Sequence, residues 1–368
     1  MTSAMFKGSR PHPALSRSGH NGRASLKVWT LGDLLTNPIR EREHLLEPLI
    51  REGESMMLWA APGVGKTMAA LSMALAIAGG GKFLEWNAPK ARRVLYVDGE
   101  MHMGDLQSRL ASLVKAVPGI ELEAAGDNLA LLARQAQDPE AEFPDLATKE
   151  GQDLIFKKAT TGNFALVILD NFSVLADVDD ENDAAAMSPV LQFLMRMKQG
   201  NVATVLLHHS SKGGDNYRGS SKLATTFEVI VGLTAAKGVE SRHSSAFDMA
   251  FGKFRGKRNK TIEETTAWLI DAKEGALEWQ WKASEDGQLR KLVDAVKSCN
   301  YSSQKELAAA LGTNPTAITR MKGKATAKDM ISDRDWEKCL DVAREAGGAP
   351  EATRLGDPEA VDDDTSQF

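Results

Sequence analysis

The chain has 368 residues, 42% of them hydrophobic and 26% charged, so a soluble globular core is expected, with room for one large α/β domain and one or two small modules. Its net charge of -5 speaks against a generally basic nucleic-acid binder and leaves room for a channel lined by local basic loops. Cys299 and Cys339 fit neither metal nor disulfide spacing, the longest apolar run (around Ala69 to Ala78) is too short to cross a bilayer, and no stretch resembles a signal peptide; a cytoplasmic protein without a membrane partner is expected.

Residues 1–27, rich in Ser, Gly, Arg, Pro and His with no acid before Asp33, read as a flexible basic tail. The short element "SLKVWTLGDLLTNPI" is placed against the core or on a neighbouring subunit. Strand "SMMLWAAP", a helix from Lys66 to Ala78 closed by Gly79-Gly80-Gly81, strand "RRVLYVDGE" and helix "GDLQSRLASLVKAV" follow. Then come strand "NLALLAR", a helix within "DLATKEGQDLIFKKAT", the buried strand "FALVILDN", an acidic loop over 177–183, helix "AAMSPVLQFLMRMKQG" and strand "VATVLLHH". Such alternation specifies a mostly parallel sheet with helices on both faces. After residue 222, "FEVIVGLTAAK", "SAFDMAFGKFRGKR", "TAWLIDAKEG" and "ALEWQWKA" read as an antiparallel extension. The division is a tail over 1–27, an ATPase domain over 28–284, a helical module over 285–350 and an acidic, disordered tail over 351–368.

The first chemical motif is Ala61-Pro62-Gly63-Val64-Gly65-Lys66-Thr67, between a hydrophobic strand and a helix. Gly63 and Gly65 let the backbone approach a phosphate, and successive amides and the helix start face the anion. Lys66 supplies a mobile charge for the β- and γ-phosphates of ATP, and Thr67 a hydroxyl for Mg²⁺. Ala60 stands where the usual pattern begins with glycine. Asp170 ends an apolar strand and is expected at the same sheet edge, where a carboxylate holds Mg²⁺. Glu100, directly after "VLYVD", is the candidate general base; Asp98 is the competitor, with a structural role as its alternative. His208 and His209 end the next strand, one of them donating toward the γ-phosphate or the attacking water while the other packs. The loop that follows carries Lys212 and Arg218 and either reports nucleotide state to a nucleic-acid backbone or is ordinary solvated loop.

In their order, "APGVGKT", "YVDGE", "LVILDN", "LLHHSSKGG", "RGSS" and "FGKFRGKR" resemble the RecA-like ATPases, and most of all the RepA-type hexameric replicative helicases of broad-host-range plasmids with their relatives in phages and integrated elements. The resemblance covers roughly residues 28–282. It implies a RecA-like P-loop NTPase core, ATP and Mg²⁺ as cofactors, a hexameric homo-oligomer and single-stranded DNA in the ring centre. Residues 63–67 and Asp170 match the two Walker motifs, Glu100 the catalytic glutamate, His208 and His209 the sensor, and Arg218 to Ser221 the element after it. The family's late basic strand, which supplies a cation to the neighbouring subunit's nucleotide, falls among Lys253, Arg255, Lys257 and Arg258, with Arg255 and Arg258 the candidates to test; a solvated hairpin turn is the alternative. The implied activity is DNA unwinding driven by ATP. The competing function is a regulatory or recombinase-like ATPase that binds DNA without unwinding it.

Beyond the compact helicase pattern, "SSQKELAAALGTNPTAITRMKGK" reads as helix, turn, helix. Leu307, Ala308 and Leu311 form one apolar face, Gly312 breaks the chain, Thr313 or Asn314 caps the next helix, and Ile318 and Met321 face back. Arg320, Lys322 and Lys324 are expected to meet the phosphates of duplex DNA; a protein-docking module is the alternative.

Overall fold

The structure, a computed structural model, describes residues 26–178, 187–210, 225–236, 239, 245–259, 261–272 and 276–346. The basic tail through residue 25, residues 179–183 of the acidic loop, the loop with Lys212 and Arg218 to Ser221, and the acidic tail lie outside the described residues. The chain divides into two compact units, 1–41 and 42–368.

In the first unit, helix α1 (Leu31–Thr36) starts at a capping box. The Thr30 hydroxyl accepts from the Asp33 amide (3.1 Å), and the Asp33 carboxylate accepts from the Thr30 amide (2.9 Å). None of the helix's residues is buried.

The second unit begins with a short hairpin, β1 (His44–Leu46) and β2 (Ile50–Arg51), before strand β3 (Ser55–Ala60) and helix α2 (Lys66–Gly79). A second hairpin, β4 (Lys82–Phe83) and β5 (Trp86–Asn87), leads to β6 (Val94–Asp98), α3 (Met103–Leu113), α4 (Leu122–Asn128) and β7 (Leu129–Ala133). Then follow α5 (Lys149–Thr161), β8 (Leu166–Asp170), α6 (Phe172–Leu175), α7 (Ser188–Gln199) and β9 (Ala203–His209). The chain continues through β10 (Val229–Ala235), β11 (Ala246–Phe254), β12 (Thr265–Asp271) and β13 (Leu277–Ala283).

Nine of these strands form one sheet in the order β13-β12-β11-β10-β3-β9-β8-β6-β7. From β10 to β7 all neighbours are parallel, and β11 to β13 are antiparallel. Strands β3, β6, β8 and β9 are nearly unbroken apolar runs because both faces of the sheet are covered. One face packs on α2, with Leu71, Leu75 and Ile77 buried; the other packs on α5, α6 and α7, with Ile155, Phe172, Phe193 and Met197 buried. The antiparallel extension starts one strand later than its sequence suggests. β10 pairs parallel with β3 (Val229 opposite Met56) and so runs in the same direction as β9.

Aromatic side chains fasten the extension to the core. Phe83 and Trp86 of the second hairpin meet Trp279 and Phe251 at ring distances of 5.6 and 6.1 Å. The Trp279 indole also donates to the Ser72 hydroxyl on α2 at 2.9 Å, which satisfies a buried polar group on each side.

The last part of the chain forms four helices, α8 (Glu285–Lys297), α9 (Gln304–Ala310), α10 (Pro315–Ala327) and α11 (Asp333–Glu345). Each begins at a side-chain cap, Ser284, Ser303, Asn314 and Ser332 in turn. They enclose their own core of Leu289, Leu292, Leu307, Ile318, Trp336 and Leu340. Both lysines read from sequence as phosphate contacts are otherwise engaged. Lys322 pairs with Glu337 at 2.8 Å and lies 5.1 Å over the Trp336 ring, and Lys324 pairs with Glu285.

Candidate nucleotide site

Register brings the chemistry together. Ala60 lies opposite His209 and Asp98 opposite Asp170, so β3, β9, β8 and β6 all end at one edge of the sheet. There a cleft of about 720 Å³ is lined by the phosphate loop, Asp98, Glu100, Asp170, Asn171 and His209.

The loop turns through two left-handed glycines, Gly63 at φ 80° and Gly65 at φ 114°. Gly65 is also the N-cap of α2, and no side chain caps that helix start, which leaves its first amides to an anion. A Cβ at Gly65 would come within 3.1 Å of the Ser245 hydroxyl, so the segment entering β11 braces the loop from behind. Val64, by contrast, anchors in the core.

Lys66 is buried, and its ammonium donates to the His208 carbonyl at 3.1 Å and lies 3.3 Å from His209 Nδ1. The Thr67 hydroxyl donates to Asp170 Oδ2 at 2.9 Å, and the Tyr96 hydroxyl donates to the same oxygen at 2.6 Å. Burial pushes the Asp170 carboxyl up to about 6, against the opposing pull of those two hydrogen bonds and the Lys66 charge. Asp170 raises the Tyr96 hydroxyl in turn, after burial.

That shift has a measurable sign. An acid whose folded pKa lies above its unfolded value of 3.8 favours folding most below that value, and loses the benefit as pH rises to about 6. In magnesium-free buffer at pH 7.5, Asp170→Asn should therefore be more stable than the parent, by on the order of 3 kcal/mol. At pH 4 the two should be nearly equal. Denaturant unfolding at both pH values checks this; a variant equally or less stable at pH 7.5 would mean that the carboxylate is not strained by burial.

Asp98 and Glu100 divide their work. Buried Asp98 accepts from the amides of Glu100 (3.0 Å) and Met101 (2.6 Å), which folds the chain sharply after β6; burial raises its carboxyl. The same turn carries Glu100 outward, exposed in the cleft, where its Oε2 accepts from Asn171 Nδ2 at 2.9 Å. The two histidines part as adjacent strand residues must. His209 lines the cleft, whereas His208 is fully buried, its ring edge-on to Phe172 at 5.0 Å.

Arg255 and Arg258 are not in this cleft. Phe254 pairs with Val229, which pairs with Met56, so the basic turn sits at the start of β3. The phosphate loop leaves the other end of that strand, six residues on, roughly 20 Å away at about 3.3 Å per residue. Arg255 reaches Glu228 at 3.4 Å and the Thr225 carbonyl at 3.2 Å; Arg258 is exposed.

Sequence reasoning missed Tyr96, Asn171 and Ser245. Tyr96 carried a usable signal, since a phenol inside a buried strand needs a polar partner, and the strand's partner at that face ends in Asp170. Asn171 and Ser245 carried none.

The residues fit a magnesium nucleotide. The loop offers backbone amides and a space at Gly63, where an added Cβ would meet nothing within 4 Å. Thr67 and Asp170 offer hard oxygen donors side by side.

The model of the family described as "AAA domain" matches residues 22–215, just over half of the chain. Among solved structures, a KaiC-like protein from the hyperthermophilic archaeon Pyrococcus horikoshii OT3 is similar over 64% of this chain and 93% of its own, at 16% identity and a TM-score of 0.44.

Proposed function

Since the chain belongs to the AAA domain family and has an α/β, RecA-like P-loop core that binds ATP, we propose that it hydrolyses ATP with magnesium and couples hydrolysis to binding DNA, as a regulatory or recombinase-like ATPase built into a head-to-tail ring. The observation that carries the catalytic part is the meeting of Lys66, Thr67, Glu100, Asp170 and His209 at one sheet edge.

The loop amides and Lys66 bind and orient the phosphates. Thr67 and Asp170 would hold Mg²⁺, which neutralises charge on the phosphate oxygens when bound. Glu100, held by Asn171, takes a proton from water as its oxygen attacks the terminal phosphorus, and the bond to the departing ADP breaks. His209, beside the Lys66 ammonium, is placed to respond when the terminal phosphate leaves.

The position of the basic turn supports the ring. The Lys253 to Arg258 turn is at the sheet edge away from its own cleft, so it serves catalysis only in a neighbour's site. A mixing experiment tests this. Lys66→Ala and Arg255→Ala proteins, each inactive alone, should regain partial turnover together, because some interfaces then hold an intact lysine and an intact arginine. Full activity in both Arg255→Ala and Arg258→Ala proteins, or inactive variants that never complement, would remove the trans cation. A RepA-type helicase would use the same site, and strand displacement on a forked duplex separates the two readings: a regulatory ATPase retains the fork while turning over ATP.

A further inference from the structure

No residue of α8–α11 lines the ATP cleft among the described residues, so this module does not build that site. Its α9 and α10 are joined by residues 311–314 in a tight turn. Gly312 adopts φ 64° there although an added Cβ would meet nothing, so the backbone angle and not space calls for glycine. Asn314 Oδ1 then accepts from the Ala317 amide at 2.8 Å, and Pro315 opens α10. With Leu307, Ala308 and Ile318 buried beneath, α10 turns its other face to solvent.

That face consists of Thr316, Thr319, Arg320 and Gly323, all exposed and spaced as one helical stripe. No acid occurs from Leu307 to Lys328. Of the cations on α10, Lys322 and Lys324 are held by carboxylates, while Arg320 has no acidic partner among the described residues. The Thr319 hydroxyl donates to Gln304 Oε1 at 2.9 Å, which ties the start of α9 to the same surface. Gly323 weakens the helix relative to alanine, yet a Cβ there would meet nothing within 4 Å. No contact among the described residues calls for this glycine, and its bare surface leaves room for a close approach from outside. The stripe holds no large apolar side chain, which a protein partner would need as an anchor.

We propose that α10 is a reading helix for duplex DNA, entering the major groove with Thr316, Thr319 and Gly323 against the base edges and Arg320 donating both arms of its guanidinium to O6 and N7 of a guanine. This goes beyond the ATPase reading, because it gives the chain a sequence-selective duplex site separate from the ring.

The test uses the full chain and a pool of random-sequence duplexes, from which bound molecules are selected and sequenced. A short motif containing a guanine should be enriched. Arg320→Ala should weaken binding to the selected duplex by about tenfold or more and relax preference at one position. Gly323→Glu, which places a bulky acid on the same stripe, should abolish selective binding. Both positions are exposed, so the variants should fold, with ATP turnover in the absence of DNA unchanged. A pool that yields no motif, or a motif bound equally well by both variants, overturns the proposal. Either failure leaves ATP turnover and its response to single-stranded DNA as they were, so it is distinct from a failure of the ATPase reading.

Discussion

Glu100→Gln is expected to bind ATP normally and to hydrolyse it about 10²-fold more slowly or worse, the usual scale for loss of a general base. The amide preserves size, and its oxygen can still accept from Asn171 Nδ2, so the turn after β6 keeps its shape. What is lost is the capacity to take a proton. Nucleotide affinity and single-turnover hydrolysis, measured side by side, separate these effects. Asp98 supplies the control: it is buried and its Oδ1 is already occupied by two amides. Asp98→Asn should therefore act mainly through the position of Glu100. Normal hydrolysis by Glu100→Gln with loss in Asp98→Asn would transfer the base to Asp98.

Lys66→Ala should cost about 10²- to 10³-fold in turnover, the range seen when one preorganised donor is removed from developing charge. The lysine is buried at the first position of α2, and its ammonium is positioned over the cleft by the His208 carbonyl and His209. Alanine favours the helix, and Asp170, which loses the Lys66 charge, keeps its hydrogen bonds from Thr67 and Tyr96, so the fold should persist. Turnover assays together with thermal unfolding check both halves. Near-normal turnover with unchanged nucleotide affinity would mean that the loop does not hold the reacting phosphates.

Much of this site is legible in sequence because it depends on strand ends. Runs such as "LVILD" and "VLYVD" announce buried parallel strands, and parallel strands deliver Asp170 and Glu100 to the edge where Lys66 waits. Spacing also shows that only one of His208 and His209 can face the cleft. Which one does depends on the side taken by α6, whose Phe172 covers His208. Strand direction is less legible. "FEVIVGL" has the same apolar pattern in either direction, and nothing in it marks β10 as parallel to β3. The hairpin of β4 and β5 has two-residue strands, too short for any period, and is held by aromatic contacts distant in sequence. The position of Arg255 needs the sheet order itself, since sequence alone says that a basic turn follows a strand and not which end of the sheet it occupies.

ATP turnover by the purified chain, with and without single-stranded DNA, tests the coupling of hydrolysis to DNA most directly. Turnover should rise on addition of DNA, DNA affinity should differ between the ATP-bound Glu100→Gln protein and the nucleotide-free chain, and Lys66→Ala should abolish the stimulated rate. Turnover indifferent to DNA, with the same DNA affinity in both nucleotide states, would contradict the coupling.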